Sequence, residues 1–259
     1  MKITQRLGLN RINVKKENIE TVNQERFKTQ EKRNHHPDQS EKSKSYFEQD
    51  LFPLLKTEEF IFREYLRNKE AKILVAGCGT GRIPFHLLRM GFTKIVAFDI
   101  IPEVIQIAKK IEPSLDFRVL DATNLNEFNA ESFDLVIFPY NGIDYIHPIE
   151  KRKKALREIH RILNVGGQFI FSSHNSRLIS YKKIPVLLRT LLSGLLFTGY
   201  YVNYGEHGFI ITKYSSIGRI KKELAGCGFK DIHVKGDFSS TVRNYVSCKY
   251  CHYIAKKEP

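Results

Sequence analysis

Cysteine is scarce in this chain, four in 259 residues, too few for a disulfide framework in a chain of this length. Cys248 and Cys251 make a single C-x-x-C with His252 beside it and His233 upstream. A tetrahedral zinc site would need a second pair at suitable spacing, and the sequence has none. No metal site is therefore expected. The pair is read as buried small hydrophobes of a terminal strand, with metal or redox chemistry as the alternative. Long apolar runs are missing too. The longest, Ile184 to Gly199, is broken by Pro185 and Arg189 and falls short of the roughly 20 residues that span a bilayer. Met1 to Asp50 is polar and charged, without the apolar segment of a secretory signal. The expectation is a soluble cytoplasmic protein whose length supports one substantial core in one α/β domain.

Acidic residues run out toward the C-terminus. Residues 1–70 hold 15 basic and 12 acidic side chains, residues 71–150 hold 7 and 10, and residues 151–259 hold 20 and 6. The excess of positive charge thus sits in the last two fifths of the chain. It suits an anionic substrate, an anionic membrane surface touched peripherally, or RNA; a solvated lysine-rich surface is the plain alternative. Oligomeric state is not legible.

What is present is concentrated between Lys72 and Ile100. Lys72-Ile73-Leu74-Val75-Ala76 is a short β-branched run that leads at once into Gly77-Cys78-Gly79-Thr80-Gly81. A strand entering glycines predicts a tight turn whose backbone can approach a ligand. Arg82 to Met90 follows with Ile83, Leu87 and Leu88 at helical spacing, Gly91 stops it, and Lys94–Phe98 is a second strand ending in Asp99. A dinucleotide fingerprint would be Gly-x-Gly-x-x-Gly; here the pattern is Gly-x-Gly-x-Gly. That loop, with Asp99 in register, closely resembles the nucleoside-binding loop of class I S-adenosylmethionine-dependent methyltransferases of the small-molecule, type 11/25-like kind.

The resemblance implies S-adenosylmethionine as cofactor and a Rossmann-like α/β fold. That fold has a seven-stranded, mostly parallel sheet, helices on both faces and a C-terminal antiparallel hairpin. It implies a cofactor site of Ala76, Gly77, Cys78, Gly79 and Gly81, then Asp99 and Ile100, Asp121 and Ala122, and Pro139 and Tyr140. Asp99 would accept hydrogen bonds from both ribose hydroxyls and Asp121 from the adenine amine. Asp121 could instead cap a helix from Asn124 onward. The family usually has an acid two residues before the first glycine, where this chain has Val75. Either the site tolerates the change or the chain has lost cofactor binding.

Elsewhere, residues 1–44 read as loosely ordered and polar. Two helices around Pro53 cover the cofactor within residues 45–70, with Tyr46 near the site or packed. A helix starts at Pro102, a short strand covers Phe117–Leu120, and Phe133–Phe138 is central in the sheet. The loop from Pro139 to Pro148 lies beyond that strand's carboxyl end and is expected to face substrate. Glu150–Leu163 reads as a helix with Ala155, Leu156 and Ile159 inward and Lys151, Arg152, Lys153, Lys154, Arg157 and Arg161 solvated. Asn164–Gly167 resembles the family's turn before the fifth strand, which ends in His174 and Asn175. Residues 180–204 read as an inserted helical lid with a leucine stripe, or as core packing. A helix over Ser215–Gly226, a strand over Lys230–Val234 and one from Tyr245 to Ala255 complete the domain.

Methyl transfer to a neutral amine needs little beyond alignment, whereas a hydroxyl acceptor needs its proton removed. His147 and His174 are candidate bases because imidazole titrates near neutrality, and Tyr140 joins them as a candidate at the site. The leading reading is O- or N-methylation of a small-molecule, lipid or glycan-type acceptor. An RNA methyltransferase and a non-catalytic binding protein on the same fold are the rivals.

Overall fold

Ile73–Ala76, the strand β1, is buried on both sides, and its alternate residues feed two separate cores. Leu74 and Ala76 join one cluster; Ile73 and Val75 join the other on the opposite face. The structure, a computed structural model, describes residues 53–176, 190–191, 198–205, 208–236 and 248–259. The polar segment 1–44, Tyr46, the first of the two expected cover helices and most of the expected lid lie outside them.

The elements follow in the order α1 (Lys56–Tyr65), β1, α2 (Arg82–Arg89), β2 (Ile95–Asp99), α3 (Pro102–Ile111), β3 (Asp116–Val119) and β4 (Phe133–Phe138). A 3₁₀ turn (Gly142–Tyr145), α4 (Ile149–Ile162), β5 (Leu163–His174), β6 (Tyr200–Gly205) and β7 (Gly208–Lys213) come next. The described chain closes with α5 (Ile217–Ala225), β8 (Phe229–Lys235) and β9 (Tyr250–Lys257). Seven strands pair in the order β3-β2-β1-β4-β5-β9-β8. The first five run parallel, and β9 is antiparallel to both β5 and β8. This is the Rossmann-like sheet with a C-terminal antiparallel hairpin that the sequence implied. Chain direction across the sheet reverses between β1 and β4, where ligands of open α/β sheets bind. Among the described residues no helix is long and apolar enough to cross a membrane.

The helices cover both faces for the reason their spacing gives. Ile61, Phe62, Ile83, Leu87, Val104, Ile105 and Ala108 from α1, α2 and α3 pack on Ile73, Val75, Ala97 and Ile137. Ala155, Leu156, Ile159, Ile220 and Leu224 from α4 and α5 pack on Leu74, Val136 and Phe138. Pro102 opens α3 with its preset φ. Ser216 caps α5 by accepting from the backbone of Arg219.

Several boundaries differ from the sequence reading. Asn164–Gly167 is not a free turn before β5 but lies within it. Phe133 pairs with Leu163 and Leu135 with Gln168, so four residues bulge from the ladder and Gly166 takes the bend at φ +82. β3 begins at Asp116 and β9 at Tyr250. No helix follows Asp121: its Oδ1 accepts from the Thr123 backbone at 2.8 Å in a local turn, which corrects the helix-cap alternative. Of the lid segment, residues 190–191 are helical, but from Tyr200 the chain is a strand, and β6 and β7 form their own antiparallel pair.

Candidate functional site

The carboxyl ends of β1, β2, β4 and β5 converge on one rim, and the glycine loop after β1 opens it. Gly81 sits at φ +103, where a side chain would drive a Cβ to 2.4 Å from the Phe85 ring. Gly79, at φ +56, is different: a Cβ there would meet nothing within 4 Å. One glycine is demanded by packing, the other lies against open space. Cys78, just before Gly79, has its side chain buried in the core, and burial, with Asp99 adding to it, pushes its thiol well above the ordinary value. Only its backbone can serve a ligand; its N–H is tied to Phe98 of β2 at 3.0 Å. Ala76 is fully buried below the loop.

Asp99 locks this loop to β2. Its Oδ2 accepts from the Gly79 N–H at 2.9 Å and its Oδ1 from the Ile101 N–H at 3.1 Å. An ionised carboxylate has about four acceptor positions, more than these two bonds use, so it keeps acceptor capacity for a ligand hydroxyl. Burial raises the Asp99 pKa, and the N–H groups of Gly79 and Ile101 partly oppose that. Beside it Ile100 is exposed, Ala122 is buried and Asp121 is exposed. The structure thus brings the glycine loop, Asp99 and Ile100 together.

After β4 the chain takes an unusual course. Tyr140 and Asn141 are consecutive non-glycine residues at φ +54 and +56, a conformation that costs of the order of 1 kcal/mol or more each and collects at functional sites. The backbone N–H of Asn141 donates to Ser172 Oγ at 2.9 Å, and Gly142 N–H returns to the Pro139 carbonyl. The bend leaves the Tyr140 ring 68% exposed, with the Arg82 guanidinium 5.6 Å above it. Arg82 also makes a two-pronged pair with Glu58 of α1, both bonds 2.8 Å, and so fastens the cover helix to the start of α2.

The 3₁₀ turn buries Asp144 completely. Its Oδ1 accepts from Arg152 Nη1 at 3.0 Å and from Ser173 Oγ at 2.8 Å; its Oδ2 accepts from the His174 N–H at 2.7 Å and lies 2.9 Å from His174 Nδ1. Arg152 is fully buried as well. That corrects its expected place on the solvated face of α4. It donates to the Ile143 carbonyl at 2.6 Å and through Nε to both oxygens of Glu223 on α5. Burial works against its charge, but Asp144 and Glu223 outweigh it and raise the Arg152 pKa. Lys213 of β7 stands 4.8 Å over the Tyr200 ring, and burial lowers its pKa against the pull of Glu223.

His147 and His174 are both on the rim but in different settings. His147 packs edge-on against Tyr200 at 4.8 Å and precedes a cis Pro148. His174 is held by Asp144 and lies among Tyr145, Tyr214 and Tyr250, at centroid distances of 6.4, 4.8 and 5.2 Å. Asn175 is buried and donates to the Cys248 carbonyl. Cys248 and Cys251 are buried free thiols.

Sequence reasoning passed over Asp144, Arg152, Glu223, Glu58 and the β6–β7 hairpin. Arg152 carried a signal: it stands three, four and seven residues before Ala155, Leu156 and Ile159, on the apolar stripe itself.

Residues 74–171 match the family model described as a methyltransferase domain. Demethylmenaquinone methyltransferase of Chlorobaculum parvum is 28% identical over 99 residues, 38% of this chain and 39% of that protein. EEF1A lysine methyltransferase 4 of Mus musculus is 30% identical over 118 residues, 39% of this chain and 45% of that protein. The chain spans less than half the length of these curated relatives. Among solved structures, a SAM-dependent methyltransferase of Methanosarcina mazei superposes with a TM-score of 0.64 at 20% identity, over 76% of this chain and 97% of that one. A Burkholderia thailandensis 1,6-didemethyltoxoflavin-N1-methyltransferase, solved with its substrate and S-adenosylhomocysteine, gives 0.55 at 17% identity, over 78% and 76%.

Proposed function

We propose that this chain, which carries a class I S-adenosylmethionine-dependent methyltransferase domain, uses that cofactor to methylate a small-molecule acceptor. The observation that carries the reading is Asp99. Its carboxylate is pinned between the Gly79 and Ile101 N–H groups at the end of β2 with acceptor positions to spare. Beside it Gly79 leaves room that any side chain would occupy.

In this reading Asp99 takes the ribose hydroxyls, and Ile100, Asp121 and Ala122 serve the adenine end. The backbone from Ala76 through Gly81, with Pro139 and Tyr140, flanks the rest. The cofactor supplies a methyl group on a positively charged sulfur, which leaves as a neutral thioether. Val75 does not argue against binding on its own: it is a fully buried core residue paired with both Ala97 and Ile137. The protein's remaining tasks are to orient the acceptor and keep water out.

The acceptor class rests on less. Relatives named for demethylmenaquinone and didemethyltoxoflavin favour a small ring acceptor, while the lysine methyltransferases point to a protein side chain. We take the small molecule because exposed Tyr140 and the tyrosines around His174 offer flat apolar surface. His174 and His147 are the candidate bases for a hydroxyl acceptor; the Asp144 contact favours His174.

Calorimetric titration with S-adenosylhomocysteine tests the reading. Binding to the full chain that Asp99→Ala abolishes supports it, and no binding to the unaltered chain overturns it. RNA as acceptor is favoured by one observation: Lys151, Lys153, Lys154 and Arg157 on α4 and Lys221 and Lys222 on α5 are all exposed on the same side of the sheet. Gel retention of tRNA that weakens steeply with salt would support that reading.

A further inference from the structure

The Asp144 carboxylate is surrounded so completely that it dictates the protonation of its neighbour. Ionised beside Arg152, it can only accept hydrogen bonds. Two of its positions take Arg152 Nη1 and Ser173 Oγ, and a third takes the His174 backbone N–H. The fourth faces His174 Nδ1 at 2.9 Å. A lone pair on Nδ1 would face a lone pair on a buried anion, so Nδ1 must carry the hydrogen. In neutral imidazole that leaves Nε2 as the acceptor.

We infer that Asp144 is the positioning residue that holds His174 as its Nδ1–H tautomer, so that Nε2 takes the proton of a hydroxyl on the acceptor. The inference rests on the methyltransferase reading above and narrows it to O-methylation. Three features support it together. Asp144 and Glu223 bring two negative charges to this buried cluster, and Arg152 brings one positive charge. At 2.9 Å the Asp144 carboxylate sets a counter-charge directly against Nδ1 while Nε2 takes a proton. Nε2 has no hydrogen-bond partner among the described residues, whereas the other ring nitrogen is fully committed. Finally, Tyr145, Tyr214 and Tyr250 wall the ring, which suits a flat hydroxyl-bearing ring such as a phenol or hydroquinone.

The proton balance is simple. The O–H bond of the acceptor breaks, its electron pair stays on oxygen as the nucleophile for the methyl carbon, and the hydrogen passes to Nε2. From the imidazolium it leaves to water, so one proton is released for each methyl transferred. An amine acceptor that arrives uncharged would need no such base before attack.

The test is histidine side-chain ¹⁵N spectroscopy of the full chain with S-adenosylhomocysteine bound, at mildly alkaline pH, with His174→Gln to assign the His174 signals. The expected pattern is a protonated Nδ1 and an unprotonated Nε2, and Asp144→Asn should turn it into a mixture of tautomers. If Asp144→Asn does not fold, the unaltered chain still decides, because an Nε2–H pattern there overturns the inference. Phenol and aniline are then added separately as probes. A shift of the Nε2 signal by phenol and not by aniline is expected; an equal response, or none to either, overturns the assignment to a hydroxyl. Failure to bind S-adenosylhomocysteine in the same samples would instead sink the cofactor reading and leave the tautomer pattern standing.

Discussion

Glu58 and Arg82 face each other across the seam between the cover helix and the first helix after the glycine loop, joined by two parallel 2.8 Å bonds. Glu58 is almost buried, and its Oε2 also accepts from the Leu55 N–H at the start of α1. Removing the glutamate strips the guanidinium of its partner and α1 of its cap. Glu58→Ala should therefore cost about 2–3 kcal/mol of stability in urea unfolding, since breaking a well-buried pair costs 3–5 and this one is partly open. Glu58→Gln should lose less. Equal losses for the two would mean that the charge contributes nothing.

The glycine loop separates folding from binding within three residues. Gly81→Ala places a methyl 2.4 Å from the Phe85 ring at a positive φ and should lower the melting temperature sharply. Gly79→Ala meets no neighbour, so its stability cost should stay near the 1–2 kcal/mol of a left-handed alanine. Its methyl group, however, projects into the space assigned to the cofactor. Calorimetry should show S-adenosylhomocysteine binding lost in a protein that still melts cooperatively; undiminished binding would remove Gly79 from the site.

Much of this arrangement was legible because it is local. The order strand, glycine loop, helix, strand and Asp99 spans under thirty residues, and each step has its own signal in spacing or turn chemistry. What stayed hidden depends on partners far apart in the chain. Arg152 and Glu223 are 71 residues apart, and amid Lys151, Lys153 and Lys154 the arginine looked like one more solvated cation. Only its register with Ala155, Leu156 and Ile159 marked it as inward. The β6–β7 hairpin was masked by the leucine stripe before it, although Tyr200 and Val202 alternate inward as a strand requires. The left-handed pair Tyr140-Asn141 left no trace, because neither residue type demands that conformation.

Asp99 should impose a pH dependence on cofactor binding. Burial raises its folded-state pKa above the ordinary 3.8. For the free protein the sign is that its charge works against the fold above that pKa, and protonation favours the fold as pH falls through it. For the ligand the sign reverses, because the diol needs an ionised acceptor. S-adenosylhomocysteine affinity should thus be flat around neutrality and begin to fall at a higher pH than an ordinary aspartate would allow. Asp99→Asn should abolish that fall and weaken binding about tenfold to a hundredfold, the worth of charge-assisted hydrogen bonds at roughly 1.5–3 kcal/mol. A pH profile that is the same in both proteins would assign the dependence to another group.

Arg152 is where the fold and the proposed chemistry meet. It lies fully buried between Asp144 and Glu223, and its side chain also closes the Ile143 carbonyl in the 3₁₀ turn after β4. Arg152→Met keeps the bulk of the stem but leaves two carboxylates buried without their cation, so a loss of about 3–5 kcal/mol is expected. Arg152→Lys should recover little of it, because an ammonium cannot reach Asp144, Glu223 and the carbonyl from one planar fork. Combining Arg152→Met with Glu223→Gln removes one of the stranded charges. The double variant should therefore be more stable than the sum of the two single losses, by an interaction energy of the order of 1–3 kcal/mol. Purely additive losses in chemical denaturation would mean that Glu223 does not share the charge of Arg152, and that the buried chain from α5 through α4 to Asp144 and His174 is not a unit.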